Sequence, residues 1–522
     1  MNSSLLRMKL KGRISAIGVL AILLLVALYI LWPLTKRGFF VSDDGEWMII
    51  RLSAFYQSFR DGQFPVRFLD RLNYGYGYPV ANFLYPGFLY IGSLIHLVGF
   101  SFVDSVKLIL GGSVVGSAFL IFYWLRSRFT VAASFLGALS FLFAPYVIFD
   151  LYGRGSVGEV LAFLALAFCL YSIDRSVRWM FPFAVGLLVI SHNSLALIFS
   201  VFLCLYLFVQ KKRDYWMPYV LGFGMTAFFW IPALVERRFV LFDTETIAHS
   251  ASYFIENRKL FLVNGVPLLA GVLIIVNRAL RKKPLVLFFL AAFAVGALLS
   301  TSLTTPVWNI RWMGTFIQFP YRFLSLAVFA GSWLVARLVD RTSAVKMAGL
   351  TLVFFAMWMI PFWQITRGIV WVEREVGYYT TNEATTTVAD EYLPRWVRER
   401  PKSRAAKKLE FIEGKGVVNL QSISTRRIEA AIEATEQSIL RMNTIYYPGW
   451  GAELNGFPAP ISYRNPKGAI TIGVPAGSHR LIVEFRETPL RLLADVLSAV
   501  SMIIAFSLAG VELKKRLPGG VR

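Results

Sequence analysis

Clusters of lysine and arginine divide this chain into pairs of apolar segments, most of them long enough to cross a bilayer as helices. Cytoplasmic loops of membrane proteins carry the excess of these residues, and we therefore place every cluster on the cytoplasmic side. Two crossings between successive clusters then put each intervening polar turn outside. The clusters lie at residues 7–13, 126–128, 175–178, 211–213, 278–283, 337–346 and 514–516.

This pattern predicts about twelve transmembrane helices with both termini inside. Helices are expected because an open sheet leaves backbone groups unsatisfied in lipid. The apolar run 83–100 is predicted to be re-entrant or interfacial, since a full crossing there would change the side of every later cluster. The turn around residues 191–194 is predicted to lie below the outer membrane surface. The predicted spans are 14–34, 103–125, 130–148, 158–174, 179–192, 194–210, 216–234, 260–277, 284–302, 322–338, 346–364 and 489–510.

The composition also indicates a polytopic membrane protein. Of the 522 residues, 56% are hydrophobic and only 16% are charged, which is too apolar for a soluble protein of this length. The first span is too long for a cleaved signal peptide, and we expect a retained anchor. The net charge of +23 comes from basic residues scattered at segment ends, which argues against nucleic-acid binding. Cys169 and Cys204 lie within apolar spans and are expected to be core residues.

Three regions are predicted along the chain: a transmembrane domain over 1–365, an external domain over 366–488, and a final transmembrane helix with a basic cytoplasmic tail over 489–522. The first external loop of the transmembrane domain covers 35–102. The external domain alternates apolar and polar residues between glycine and proline turns, which predicts antiparallel strands and a small β-sandwich. It either binds a ligand or only shields the membrane domain. The predicted strands are 417–424, 427–434, 438–446, 469–474 and 479–485.

Asp43 and Asp44 are adjacent acids just past the first predicted span. A carboxylate at the outer membrane face is suited to take a proton from a hydroxyl nucleophile. The alternative is structural: Asp44 would cap a helix that begins near Gly45 by accepting hydrogen bonds from backbone N–H groups.

Four further polar side chains lie at predicted external turns or span ends: Arg154, Glu159, His192 and Arg322. Glu159 opens an apolar span, where an unpartnered charge is costly, and it has Arg154 nearby as a partner. His192 is either a functional group or a hydrogen-bonded packing residue. Arg322 is either functional or an interfacial arginine that snorkels to the membrane surface.

Taken together, these acids and cations suit a lipid phosphate whose head group lies at the outer face. Cations hold a phosphate and stabilise it as a leaving group. The aromatic stretch 73–78 fits the stacking of a sugar ring, and it fits an interfacial aromatic belt equally well. Its candidate substrate-binding residues are Asn73, Tyr74, Tyr76 and Tyr78.

Several stretches of the chain resemble the GT-C superfamily of polytopic glycosyltransferases, which carry an acidic motif on the first external loop and use lipid-linked sugar donors. More narrowly, the chain resembles the integral membrane proteins labelled "6-pyruvoyl-tetrahydropterin synthase-related", a label that implies no pterin chemistry here. Its C-terminal part, with Tyr447-Pro448-Gly449-Trp450 and Val474-Pro475-Ala476-Gly477, resembles the external β-domain of YfhO-like proteins. The other matching stretches are Arg60-Asp61-Gly62, residues 73–79, Ala144-Pro145-Tyr146, residues 150–155, Ser191-His192-Asn193, residues 318–324 and Glu391-Tyr392-Leu393-Pro394.

The resemblance implies roles for the candidate residues. The first-loop acid falls on Asp43 or Asp44 as general base, and Asp44 is slightly preferred. The second-loop acid, which holds a divalent ion in metal-dependent members, falls on Glu159. The donor phosphate would be held by the remaining cations, Arg154, His192 and Arg322. The sequence departs from many members by its Asp-Asp-Gly pair, and a requirement for Mg²⁺ or Mn²⁺ is open because several members use no metal.

We therefore expect an inverting glycosyltransferase of the cytoplasmic membrane that uses a polyprenyl-phosphate-linked donor on the outer side. The acceptor would be a glycan, a lipid or a protein. A transporter or lipid flippase is the first alternative, but the sequence has no clear internal repeat and its charges gather at one face rather than at mid-membrane. A non-catalytic scaffold with the same fold is the second alternative.

Overall fold

The computed structural model of the chain describes residues 3–243, 250–256 and 259–516. Most of these residues are helical, as predicted. The helices are α1 (Ser3–Leu31), α2 (Gly45–Arg60), α3 (Gly87–Leu97), α4 (Phe102–Leu125), α5 (Val131–Leu142), α6 (Pro145–Ile148), α7 (Val157–Asp174), α8 (Phe181–Ser191), α9 (Asn193–Val209), α10 (Trp216–Met225), α11 (Ala227–Glu236), α12 (Leu260–Val276), α13 (Arg278–Arg281), α14 (Pro284–Leu299), α15 (Thr305–Trp308), α16 (Leu324–Val339), α17 (Ala344–Thr366), α18 (Tyr378–Thr381) and α19 (Pro489–Arg516).

Six helical segments are long and apolar enough to cross a membrane, which supports a multi-pass membrane protein. Two bent pairs raise the number of candidate spans to eight in the described part of the chain. The bend is 44° between α5 and the segment Pro145–Arg154, and 65° between Arg213–Met225 and Ala227–Phe239. The six segments are Ile17–Thr35, Phe102–Leu125, Val157–Asp174, Pro320–Val339, Ala344–Thr366 and Pro489–Lys515.

Every predicted span coincides with a helix or a bent pair, but the predicted number of about twelve crossings is not confirmed. The helices α8, α9, α12 and α14 contain only 11, 17, 17 and 16 residues. A full crossing of the hydrocarbon core needs about 20 residues. Short helices of this kind end at membrane depth only where protein surrounds their ends or where they line a cavity.

The break after α5 creates the turn that carries part of the candidate site. Pro145 has no N–H group to continue the helical hydrogen bonds, and α6 begins there in a new direction. One wide turn follows, Phe149–Arg154, and it ends at Gly155 in the left-handed conformation. The helix α7 then starts at Val157, so that a short loop joins two apolar segments.

Two buried helices, α7 and α16, lie at the centre of the membrane domain. The helix α16 packs against α5, α12 and α14, and nearly all of its residues are buried. The helix α7 packs against α4 and α8. Glu159 lies in the first turn of α7, and Arg322 lies two residues before α16. Both side chains are therefore fixed by the packed centre of the protein.

The first loop contains the helices α2 and α3. The helix α3 covers the middle of the run 83–100 and has 11 residues, which is too short for a crossing and consistent with the predicted re-entrant or interfacial segment. The loop is tied to the segment that follows α17: Arg51 Nε donates to Thr386 Oγ1 over 2.9 Å, and the Tyr78 and Thr387 hydroxyls lie 2.9 Å apart.

The C-terminal strands form two antiparallel sheets, in the orders β3-β6-β10-β9 and β4-β5-β11-β7-β8. Side chains of both sheets share one buried core, for example Leu440 and Ile472 with Ile432 and Val483. The five predicted strands correspond to β4, β5, β6, β10 and β11, and the shorter strands β3, β7, β8 and β9 are additional. The strands are β1 (Phe39–Phe40), β2 (Trp371–Val372), β3 (Leu409–Glu413), β4 (Gly416–Ile423), β5 (Arg427–Ala434), β6 (Ser438–Ile445), β7 (Trp450–Leu454), β8 (Phe457–Ala459), β9 (Ile461–Ser462), β10 (Ala469–Val474) and β11 (Gly477–Phe485).

Candidate active site

The two adjacent acids are docked by their backbone onto the turn that precedes α7. The Asp43 N–H donates to the Gly153 carbonyl over 3.2 Å, and the Asp44 N–H donates to the Arg154 carbonyl over 2.8 Å. These bonds join residues 110 positions apart in the chain. They fix the position of the acid pair relative to the turn that carries Arg154.

Gly155 allows the two segments to approach this closely. Its φ is +61°, a left-handed conformation that glycine adopts more readily than other residues. A Cβ atom at this position would lie 2.5 Å from the Ser42 Oγ and 3.0 Å from the Gly45 Cα. Any side chain at residue 155 would therefore push the acid pair away from the turn.

The Asp44 side chain does not cap α2. The helix begins at Gly45, but the Asp44 carboxylate makes no side-chain bond to its N-terminus. The Gly45 N–H donates instead to the Ser42 Oγ over 3.2 Å. The Asp44 Oδ2 accepts from Arg154 Nη2 over 2.9 Å. The alternative that Asp44 is only a helix cap is therefore wrong.

Glu159 joins two arginines from different parts of the chain. Its Oε1 accepts from Arg154 Nη1 and, over 2.9 Å, from Arg322 Nε. Its Oε2 accepts from the Tyr146 hydroxyl over 2.8 Å. Arg154 and Glu159 form the ion pair that the sequence predicts as a structural alternative. This pair is part of a longer network, because Arg154 also bonds Asp44 and Glu159 also bonds Arg322.

Arg322 points into the protein. Its Nη1 donates to the Ser194 Oγ over 3.0 Å, to the Ile317 carbonyl over 2.7 Å and to the Gln318 Oε1 over 3.1 Å. The side chain is 5% exposed. Because these groups surround the guanidinium, Arg322 is not an interfacial arginine that snorkels to the membrane surface.

His192 is a hydrogen-bonded packing residue, as one of the two alternatives has it, and its functional role stays a prediction. Its Nδ1 accepts from the Leu195 N–H over 3.3 Å and caps α9. Its Nε2 lies 3.4 Å from Arg322 Nη2 and 3.6 Å from Glu159 Oε1. Its ring packs 4.7 Å from the ring of Tyr85. The histidine is a packing residue that also contacts the charged network.

We call the set Asp44, Arg154, Glu159, His192 and Arg322 the acid–arginine network. Glu159 is fully buried, and Arg154, His192 and Arg322 are nearly so, while Asp44 is 28% exposed. Buried ion pairs add little net stability compared with apolar side chains of similar size. A buried charged network that reaches an accessible carboxylate is therefore a candidate functional site.

Asp43 lies beside the network and is more accessible than Asp44. Among the described residues, no side chain forms an ion pair or hydrogen bond with its carboxylate. Partial burial raises the pKa of Asp43 above its usual range; the Arg154 charge acts in the opposite direction, and the neighbouring Asp44 raises it further. A free carboxylate with a raised pKa is a better proton acceptor than one paired with a guanidinium.

The surroundings of Glu159 do not fit the metal ion that the family resemblance allows there. Both carboxylate oxygens already accept hydrogen bonds, and two guanidinium groups lie against them. A divalent cation at this place would face two positive charges in a buried site. Among the described residues, no group of three or more His, Cys, Asp or Glu side chains is placed to hold a metal.

The candidate sugar-binding stretch lies at the junction with the external strands. The backbone turns through left-handed conformations at Asn73 and Tyr74. Asn73, Tyr76 and Tyr78 are buried; the Tyr78 hydroxyl accepts from the Tyr392 N–H over 3.0 Å, and the Tyr76 carbonyl accepts from the Ile445 N–H over 2.7 Å. These contacts give the stretch a structural use, and its substrate-binding role stays a prediction.

Tyr146, Ser194 and Asp150, to which the sequence assigned no role, also contact the network. The Tyr146 hydroxyl donates to Glu159, and the Ser194 hydroxyl accepts from Arg322. Asp150 is fully buried, and its Oδ1 lies 3.7 Å from Arg154 Nη1. The spacing of four residues between Asp150 and Arg154, about one helical turn, is the signal that would have found this contact.

A cavity of about 380 Å³ adjoins the acid–arginine network, and we call it the outer cavity. Tyr146 lines it, as does Tyr321, whose ring centre lies 5.2 Å from the Arg154 guanidinium. The remaining wall is mainly apolar, with Glu256 and Lys259 among its polar members. Its apolar residues include Pro145, Phe149, Phe254, Ile255, Val263, Leu324 and Ile365.

No protein-family model and no curated protein matches the sequence. Among solved structures, the mycobacterial arabinofuranosyltransferase AftD is similar over 67% of this chain, with a TM-score of 0.46 and 14% identity. ArnT from Cupriavidus metallidurans, bound to undecaprenyl phosphate, is similar over 65%, with a TM-score of 0.44 and 17% identity. The Archaeoglobus fulgidus oligosaccharyltransferase is similar over 70%, with a TM-score of 0.44 and 12% identity.

The chain spans 26%, 63% and 57% of the lengths of these three structures. At such identities and TM-scores, the similarities assign no activity to this chain. The functional argument below therefore rests on the acid–arginine network, the outer cavity and the sequence.

Proposed function

We propose that the protein is an inverting glycosyltransferase of the cytoplasmic membrane that uses a polyprenyl-phosphate-linked sugar as donor. The observation that carries this proposal is the acid–arginine network beside the outer cavity. It joins the first-loop acids to two buried arginines where apolar helices end. A lipid phosphate presents an anion at the same boundary between apolar and polar surroundings.

The donor phosphate would meet Arg154, Arg322 and His192. Within the described residues, Arg154 Nε is buried without a hydrogen-bond partner, and the contact of 3.4 Å to His192 is the only one of Arg322 Nη2. These two donors remain for a phosphate. Glu159 accepts from one other nitrogen of each guanidinium group. The third nitrogen is bonded to Asp44 in Arg154, and to Ser194, Ile317 and Gln318 in Arg322. Glu159 is thus a positioning residue in this proposal. The apolar wall of the outer cavity would receive the first part of the polyprenyl chain.

Asp43 would act as general base, with Asp44 holding the acid pair against Arg154. The acceptor hydroxyl gives its proton to the Asp43 carboxylate, and its oxygen forms a bond to the anomeric carbon. The bond between that carbon and the phosphate oxygen breaks, and its electron pair stays on the phosphate. Attack from the face opposite the phosphate inverts the anomeric configuration. This assignment favours Asp43, whereas the sequence slightly preferred Asp44.

The site would face the outside of the cell. The charge pattern of the sequence puts the turns at 35–102, 149–157 and 303–321 on the side opposite the basic clusters. The acceptor would be a glycan, a lipid or a protein at that face. No step in this mechanism passes through a metal ion, since the charges around Glu159 disfavour one.

Incubation of the purified protein with a panel of polyprenyl-phosphate sugars tests the proposal. We expect sugar transfer to an acceptor, with the anomeric configuration of the product inverted when it is read by NMR. Arg322→Gln should abolish transfer, and the matched control Arg341→Gln, at an exposed arginine outside the network, should retain it. Retention of configuration, or equal transfer by both variants, contradicts the mechanism.

A further inference from the structure

A second cavity adjoins the outer cavity and shares Pro145 and Val263 with it. This inner cavity has a volume of about 110 Å³ and lies between α5, α12, α16 and α17. Three of its lining residues, Phe261, Leu262 and Ile360, are strongly exposed on the apolar outer surface of the helices. The inner cavity therefore opens sideways, toward the place where lipid surrounds the protein.

Two buried polar side chains line the inner cavity, and each has one atom without a hydrogen-bond partner among the described residues. Ser140 and Asn264 are each 3% exposed. The Ser140 Oγ and the Asn264 Nδ2 find no partner within the described structure. The other lining residues are apolar or glycine. Buried polar atoms in proteins are nearly always hydrogen-bonded, so this pair points to a ligand that supplies the missing acceptor.

The position of the pair narrows the chemistry of that ligand. Ser140 lies in the last turn of α5, and Asn264 lies near the start of α12. Pro145, which lines both cavities, lies five positions after Ser140. Through Pro145 the polar pair is connected to the outer cavity, and so to Tyr146, which bonds Glu159. The ligand needs an oxygen acceptor just below its reacting head group, within an apolar groove.

An ester carbonyl of a glycerolipid has this placement. A polyprenyl chain is a hydrocarbon below its phosphate and leaves both donors unsatisfied. Water is a poorer occupant, because the two polar side chains are at the lower limit of the two to four partners of an ordered water and a water molecule leaves the apolar wall uncovered. An ester carbonyl accepts from both donors while its acyl chain covers the apolar residues.

We propose that the inner cavity binds an ester carbonyl of a glycerolipid and that this lipid is the sugar acceptor. The acceptor role rests on the proposed function, whereas the lipid site does not. The head-group hydroxyl of the bound lipid would reach the outer cavity, beside Tyr146 and Tyr321. The class of acceptor is thereby narrowed from glycan, lipid or protein to an ester-linked lipid.

Photolabelling of the full-length protein tests the lipid site directly. The probes are a diacylglycerol with a diazirine in one acyl chain and its dialkyl ether counterpart, which has the same shape without carbonyls. We expect the ester probe to label wild-type protein about fivefold more strongly, the effect of about one net hydrogen bond. Equal labelling by the two probes overturns the proposal.

Variants of the two polar residues sharpen the result. Ser140→Ala combined with Asn264→Leu should remove the preference for the ester probe, and each single change should reduce it. Asn309→Leu, at an exposed asparagine outside both cavities, is the matched control and should keep the preference. If the double variant fails to fold, Ser140→Ala alone decides. A preference that survives in a folded variant without these polar groups overturns the site.

Transfer to the lipid tests the acceptor role separately. With a polyprenyl-phosphate sugar as donor, the diacyl lipid should become glycosylated with a KM about fivefold lower than that of the dialkyl lipid and a similar kcat. Transfer to a water-soluble acceptor without transfer to the labelled lipid overturns the acceptor role and leaves the proposed function intact. Absence of transfer to any acceptor contradicts the proposed function itself.

Discussion

Among the described residues, two buried glutamates bind arginine, and only one of them belongs to a candidate site. Glu236 accepts from Arg491 Nε and Nη2 over 2.9 and 2.8 Å, from the Tyr447 hydroxyl over 2.9 Å, and from Asn82 over 2.8 Å. All four residues of this second cluster are nearly inaccessible. It joins the first loop, α11, the external strands and α19. No member of this cluster or of the acid–arginine network itself lines either of the two described cavities.

The acid–arginine network differs from the Glu236 cluster in its access to solvent and to a cavity, not in the kind of charges it contains. It continues from the buried Glu159 to the part-exposed Asp44, and Asp43 lies beside it with a free carboxylate. Tyr146 and Tyr321 connect it to the outer cavity. A buried charge cluster is therefore a candidate functional site only where a reactive group and a cavity are within reach, and the closed Glu236 cluster has neither.

The largest difference between the two clusters should appear in catalysis. Asp43→Asn removes the proposed base and should lower kcat by about 10³-fold, within the range for a lost general base. The Tm should stay near that of wild type, because the carboxylate makes no described side-chain contact. Asp104→Asn, at another exposed acid, is the control for kcat. Unchanged kcat in Asp43→Asn removes Asp43 from the base role.

The Glu236 cluster should respond in stability instead. Glu236→Gln leaves the Arg491 charge buried without its partner, and we expect the free energy of unfolding to fall by about 3–5 kcal/mol. The folded fraction should keep its kcat. Glu453→Gln, which removes a more exposed partner of Arg486, should change stability by less than about 1 kcal/mol. Loss of kcat in folded Glu236→Gln protein would show that this cluster also serves the reaction.

A substitution at Gly155, where the backbone of the acid pair contacts the turn before α7, should have an effect of intermediate size. Gly155→Ala places a Cβ against Ser42 and Gly45 at a left-handed φ, which costs about 1–2 kcal/mol before steric strain. Because the acid pair moves away from Arg154, transfer should fall by about tenfold. Gly112→Ala, where nothing lies within 4 Å of the added atom, should leave transfer unchanged. Equal activity of both variants would mean that the close approach is unimportant.

The smallest effect should be a shift in pH dependence. Asp44 raises the pKa of Asp43, and Asp44→Asn should therefore lower that pKa and move the acid limb of kcat/KM to lower pH. The reaction needs Asp43 unprotonated, so activity is lost as the pH falls through its pKa. Glu46→Gln, at a nearby acid that pairs with Arg374, should not shift the limb. A shift to higher pH would contradict the assigned base.

Most of the helical and strand segments could be predicted from the sequence because apolar runs and alternation are local signals. The strands 427–434 and 469–474 coincide with β5 and β10 at both ends. The number of crossings could not be predicted in the same way. Residues 179–192 and 194–210 are apolar enough for two spans, but the structure gives them short helices that meet at His192.

The site was predictable as a set of residues but not as a set of contacts. Charge and position singled out Asp44, Arg154, Glu159, His192 and Arg322. Nothing local could show that Asp44 pairs with Arg154 instead of capping α2, because the two residues are 110 positions apart. Such pairings depend on how the first loop docks on the turn before α7, which only the tertiary structure reveals.

The most direct test compares transfer in two variants per folded molecule: the double variant Asp43→Asn/Asp44→Asn and Glu236→Gln. Both are assayed with a polyprenyl-phosphate sugar that wild-type protein uses. The account predicts that the double variant folds and loses transfer, while folded Glu236→Gln retains it. Full transfer by the double variant would contradict the claim that the acid–arginine network, with Asp43 as base, is the active site.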